Sequence, residues 1–114
     1  MVKPVGILGG TFDPVHHGHL RLALEVYQSC RLLPLHTPAH RRAPSASAEQ
    51  RLEMLRLAIG QIKGLVIDDR ELQRANVSFT VDTLLSLREE VGQQALCLIM
   101  GMDAFQSLHT WHKW

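Results

Sequence analysis

The sequence predicts an α/β domain, a parallel β-sheet with helices packed on its faces. Three observations point there. Short apolar runs at residues 5–8, 31–34, 65–67 and 95–100 alternate with amphipathic stretches, and strand–helix alternation is the pattern of parallel strands joined by helical crossovers. The run ALCLIM at 95–100 is continuously apolar, as expected of a strand covered on both faces. The first run ends in Gly9-Gly10, and a helical pattern begins a few residues later at Leu20, Ala23, Leu24 and Tyr27, spaced i, i+3, i+4, i+7.

The strand–turn–helix order of residues 5–20 organises the chain. A helix N-terminus carries unpaired N–H groups and partial positive charge. Glycines before it let the backbone approach an anion, most often a phosphate. Three histidines, His16, His17 and His19, lie at that same end. The stretch lacks GxxxxGK[ST] and GxGxxG, which excludes the Walker and dinucleotide phosphate loops.

Each further element follows from its residues. The first helix is predicted over residues 18–29, with a very tight connection to a second strand at 31–34. Residues 34–44, PLHTPAHRRAP, read as a stiff loop bearing His36, His40, Arg41 and Arg42, since proline blocks a helix there. Ser47 and Gln50 form a capping-box pattern. The helix they open is predicted to run to Ile62, with Leu52, Leu55, Ile59 and Ile62 on one face and Gly64 as its stop. A strand at 65–67 leads to Asp68, Asp69, Arg70 and Glu71, read as a solvated turn. Ser78 or Thr80 is the candidate cap for a helix over 81–91 that stops at Gly92. Asp103 follows the last strand as the cap of a short helix or as a ligand-facing carboxylate. Trp114 is expected to pack on the domain.

Size and composition set limits. A chain of 114 residues makes one domain at most, expected to be a single incomplete one over residues 1–114. Its net charge of +1 provides no strong pull toward nucleic acid or an anionic membrane. No apolar run approaches the roughly 20 residues of a membrane helix, and no secretory signal is evident, so a cytoplasmic location is the expectation. Cys30 and Cys97 make no disulfide framework, and Cys97, within an apolar run, is expected to be a buried thiol. Seven histidines raise the prospect of phosphate, metal or proton chemistry without choosing among them. Zinc is the weaker choice: His16 and His19 have a suitable spacing, but no Cys or acidic residue completes four ligands.

The run GGTFDPVHHGH, residues 9–19, resembles the signature of the nucleotidylyltransferase superfamily, [HT]xGH after GGTFDPVH-like residues, with His16, Gly18 and His19 in the signature positions. Within the superfamily the chain is most similar to the bacterial nicotinate-nucleotide adenylyltransferases. Their PPH[RK] segment is matched in part by Pro38-Ala39-His40-Arg41, their SYT or SFT by Ser78-Phe79-Thr80, their GxD[AS] by residues 101–104 and their TW by Thr110-Trp111. The likeness covers the whole chain but only the N-terminal part of the family; an ISxTxxR-like segment is missing. The implied fold is Rossmann-like, C-terminally truncated relative to the family, with a sheet edge open to self-association.

The resemblance implies adenylyl transfer from ATP to nicotinate mononucleotide, with Mg²⁺ bound mainly through ATP phosphates and no nucleic acid or membrane as partner. It makes His16 and His19 the catalytic pair. Gly9, Gly10, Thr11, Phe12, Gly18, His40 and Arg41 would bind ATP and its phosphates. Ser78, Thr80, Asp103, Trp111 and His112 would bind the nicotinate nucleotide, with Trp111 stacked on the pyridine ring. No protein-held metal is implied. Two alternatives stay open: a sister adenylyltransferase with another phosphorylated acceptor such as phosphopantetheine, and a nucleotide-binding or interaction module without turnover.

Overall fold

The computed structural model describes residues 4–26, 30–35, 45–60, 62–73 and 79–114, apart from the side chains of Val26 and Asp103. The strands are β1 (Val5–Gly10), β2 (Cys30–Pro34), β3 (Leu65–Ile67) and β4 (Leu96–Ile99). The helices are α1 (His17–Val26), α2 (Ala48–Ile59), α3 (Thr80–Val91) and α4 (Met102–Gln106), with 3₁₀ turns at Arg70–Gln73 and Leu108–Thr110. The sheet is parallel throughout, in the order β3-β2-β1-β4. The chain thus winds outward from β1 to β3 and then crosses to the other side of β1. That reversal leaves a crevice outside the carboxyl ends of β1 and β4, where open α/β sheets place their ligands.

Alternation along the strands builds two core layers. Leu8, Leu32, Leu65 and Ile99 point to one face, where they pack with Ala23 of α1 and Leu55 and Ile59 of α2. Ile7 and Leu33 point to the other, against Leu87 of α3, with Leu96 and Leu98 beside them. Helices therefore cover both faces, as the sequence predicts.

The caps and edges differ in detail. Ser47 and Gln50 form the expected capping box. α2, however, stops at Ile59, because Gly60 adopts φ +46° and its N–H returns to the Arg56 carbonyl. Gly64, the predicted stop, sits instead in the turn before β3 at φ +93°, and Ile62 is exposed. Thr80 is the first residue of α3, not its cap. Phe79 occupies the cap position with no side-chain bond, while Ser78 lies outside the described residues. Gly92 ends α3 as predicted. Residues 27–29 of the predicted first helix and the 36–44 loop also lie outside the described residues.

β4 is an edge strand among the described residues, and Leu96, Cys97 and Leu98 are only half-buried, not covered on both faces. The fully buried thiol is Cys30, whose pKa burial pushes up to about 11; Cys97 is half-buried. Trp114 is 75% exposed and does not pack on the domain. No helix among the described residues is long and apolar enough to cross a membrane.

The acidic stretch after β3 is not a solvated turn. Asp68 accepts from Arg31 at 3.0 Å and from Arg70 at 2.8 Å, and both arginines also meet Glu90 at 2.6 Å. Burial alone would raise the Asp68 pKa, but the hydrogen bonds from Arg70 and Arg31 together hold it below its usual value. Glu71 is only 3% exposed and accepts from the Thr83 hydroxyl at 2.8 Å. These contacts tie β2, the 3₁₀ turn and α3 together.

Candidate active site

The crevice has a volume of about 1060 Å³, at the upper end of the range of ligand pockets. It is lined by Gly9, Gly10, Thr11, Phe12, His16, Gly18 and His19. Thr80, Trp111 and His112 also line it, as do Ile99 at the end of β4 and residues 100–102 after it. Segments far apart in sequence thus share one cavity because the β1–β4 reversal brings their strand ends together. His40, Arg41 and Ser78 lie outside the described residues, as does the Asp103 side chain, whose backbone belongs to α4.

The turn after β1 is built around Phe12, which is buried beneath the glycines with a left-handed φ of +52°, unusual for a side chain of that size. A Cβ on Gly10 would stand 3.1 Å from the Phe12 ring, so glycine there makes room for it. The ring in turn meets His19 edge-on, with centroids 4.9 Å apart.

The two imidazoles are held by the backbone at the start of α1. The Gly18 N–H donates to His16 Nδ1 and the His16 N–H donates to His19 Nδ1, both at 3.1 Å. An Nδ1 that accepts a hydrogen bond carries no proton, so each neutral ring bears its proton on Nε2. Both rings can therefore donate through Nε2 without being charged. They stack with centroids 3.8 Å apart. Burial, and then the charge of His16, hold the His19 pKa below its ordinary value, which favours the neutral donor at pH 7. The helix dipole adds partial positive charge at the same point. A Cβ on Gly18 would lie 2.9 Å from His16 Cε1 and Nδ1. Gly18 thus makes room for the His16 ring, a role additional to the ligand approach expected from the sequence.

Two side chains that the sequence reading passed over support this turn. Asp13 accepts from the backbone N–H groups of Ser45 at 2.6 Å and Ala46 at 3.1 Å. Arg51, 1% exposed, donates to the carbonyls of Thr11, Leu35 and Ala46. A signal for Arg51 was present: the buried stripe of α2 is 51, 55, 59, so the apolar i, i+4 series Leu55–Ile59 extended back one turn lands on it. Elsewhere on the lining, the Phe79 and His112 rings lie 4.5 Å apart and join the start of α3 to the C-terminal segment. Glu71 and Thr83 also line the crevice.

The family model for cytidylyltransferase-like proteins matches residues 7–114. The chain belongs to the cytidylyltransferase-like family. Among curated members it is 51% identical over 120 residues to a protein of Aeromonas hydrophila named probable nicotinate-nucleotide adenylyltransferase, covering 100% of this chain and 56% of the relative. A protein of Methylococcus capsulatus with the same name is 51% identical over 116 residues, covering 96% of this chain and 55% of the relative. The chain thus spans about half the length of the curated relatives it matches. A solved structure of Plasmodium falciparum nicotinic acid mononucleotide adenylyltransferase, complexed with NaAD, superposes with a TM-score of 0.85 at 17% identity, covering 98% of this chain and 58% of that one. At that identity the superposition speaks for the fold, which agrees with the Rossmann-like expectation.

Proposed function

We propose that this cytidylyltransferase-like chain carries out adenylyl transfer from ATP to nicotinate mononucleotide, forming nicotinate adenine dinucleotide and pyrophosphate. One observation carries the reading: a single crevice is lined both by His16 and His19, whose Nδ1 atoms are engaged by the backbone, and by Thr80, Trp111 and His112. Relatives of about 50% identity with names of this activity support it.

In this reading a phosphate oxygen of the mononucleotide attacks the α-phosphorus of ATP in line. The new P–O bond forms as the bond to the bridging oxygen of pyrophosphate breaks, and pyrophosphate leaves with that electron pair. The protein's part is position and charge neutralisation. His16 and His19 donate to phosphate oxygens on which charge builds up. Gly9, Gly10, Thr11, Phe12 and Gly18 shape the phosphate end, and His40 and Arg41 contribute cationic donors. Ser78, Thr80, Asp103, Trp111 and His112 read the acceptor, with Trp111 against its pyridine ring. Among the described residues no group of three His, Cys, Asp or Glu side chains could hold a metal ion, and both Asp13 oxygens accept backbone N–H groups. Mg²⁺ fits here as an ion carried by ATP phosphates and water, where it neutralises phosphate charge.

Incubating the chain with ATP and each of two acceptors, nicotinate mononucleotide and phosphopantetheine, tests the reading. Nicotinate adenine dinucleotide is expected by mass spectrometry, and its formation is expected to vanish in His19→Ala. Pyrophosphate release with phosphopantetheine alone would assign a different acceptor. Binding of both nucleotides without product would make the chain a binding module.

A further inference from the structure

We propose that Arg51 is a positioning residue for the phosphate end of the crevice, acting through the backbone of the glycine turn without touching ligand; this rests on the reading that the imidazole end receives phosphates. Arg51 lies behind the crevice wall, in the first turns of α2, and is almost completely buried. Taking a guanidinium out of water is costly unless its donors are well used. Here Nη1 reaches the Thr11 carbonyl at 2.9 Å and the Leu35 carbonyl at 2.5 Å, and Nε reaches the Ala46 carbonyl at 3.2 Å. Thr11 and Leu35 line the crevice.

The direction of these bonds gives the consequence. A carbonyl oxygen facing a phosphate repels it, whereas a carbonyl held by Arg51 has its negative end turned behind the wall. The Thr11 carbonyl is thereby kept out of the phosphate space. The Leu35 N–H donates to the Gly10 carbonyl at 3.0 Å, which engages a second oxygen of the same turn. Asp13 completes the brace by accepting the Ser45 and Ala46 N–H groups, next to the Ala46 carbonyl that Arg51 holds. The guanidinium is coupled electrostatically to the Asp13 carboxylate, so its effect on the crevice runs through the carbonyls it orients.

The test is calorimetric titration of the full chain with inorganic tripolyphosphate, and separately with nicotinate riboside, which carries no phosphate. The proteins are wild type, Arg51→Met and Arg51→Lys, with folding checked by circular dichroism. Arg51→Met is expected to lose at least about tenfold in tripolyphosphate affinity (~1.4 kcal/mol) and to keep its riboside affinity within about twofold. A general structural defect would weaken both. Lysine keeps the charge but lacks the planar fork needed to span separate carbonyls. Arg51→Lys is therefore expected to weaken tripolyphosphate binding three- to tenfold, and it decides the matter if Arg51→Met does not fold. A folded variant of either kind with wild-type tripolyphosphate affinity, or with equal losses for both ligands, overturns the proposal. Failure of the wild type itself to bind tripolyphosphate would instead remove the functional reading on which it rests.

Discussion

Replacing Gly18 by alanine should separate stability from function at the imidazole pair. The added Cβ would stand 2.9 Å from His16 Cε1 and Nδ1, where ordinary contact begins at 3.4 Å. The ring must therefore move by about 0.5 Å or swing away, and it is free to do so because His16 is exposed. Its hydrogen bond from the Gly18 N–H is then lost, a cost of about 1 kcal/mol. Alanine returns up to about 1 kcal/mol of helix propensity over glycine. The two nearly cancel, so the melting temperature should shift by no more than a few degrees. The Nε2 donor, however, leaves its place in the crevice. A misplacement of about 1 Å near the reacting atoms can cost on the order of 100-fold in rate, so a shift of about half that should cost on the order of tenfold. Thermal melting beside dinucleotide formation, or tripolyphosphate affinity if turnover is absent, measures both effects. Wild-type activity and affinity in Gly18→Ala would refute the assigned ring geometry. A melting temperature lowered by more than about 10 °C would show that Gly18 serves the fold instead.

Other expectations concern charge. Asp68→Asn removes the partly buried charge, and one of the two carboxylate oxygens, that Arg31 and Arg70 share, and should cost about 2 kcal/mol in urea unfolding, as for a hydrogen bond to a charged group, with no loss of tripolyphosphate affinity. The Asp68 pKa is lowered on folding, so its contribution is present above the unfolded pKa and disappears as pH falls through the folded value, below about pH 4; Asp68→Asn should flatten that part of the acid transition. His19 has the opposite charge type. Its pKa is lowered on folding, so protonation favours the unfolded chain, and stability should fall as pH drops below about 6.5. His19→Gln should remove that portion of the pH dependence.

Much of this fold is legible in the sequence because its signals are local and repeat with the period of the element. The strands at 31–34 and 65–67, the Ser47–Gln50 box and the Gly92 stop are each read from neighbouring residues. The grouping of residues 9–19 with Thr80, Trp111 and His112 was legible through resemblance, since no local signal brings the β1 and β4 ends together. The misreadings are tertiary. Gly60 and Gly64 are equally eligible helix stops by composition, and the packing of Ile59 against the sheet selects Gly60. Glu71 and Asp68 look solvated until α3 and β2 bring Thr83, Arg31 and Arg70 to them. The apolar run at 95–100 carries no mark of whether its strand is central or at an edge. Arg51 was missed because a charged residue in a first helical turn normally reads as surface.

The central claim is that His16 and His19 offer two Nε2–H donors to one phosphate chain, with both Nδ1 atoms engaged by the backbone. Nitrogen-15 NMR of the imidazoles at pH 7.5, before and after adding ATP, measures this directly. The expected result is an Nε2-protonated tautomer for both rings in the free protein, with ATP shifting the Nε2 resonances of His16 and His19 far more than those of the exposed His17 and His109. An Nδ1-protonated tautomer at either ring, or ATP shifts no larger than those of His17 and His109, would contradict it.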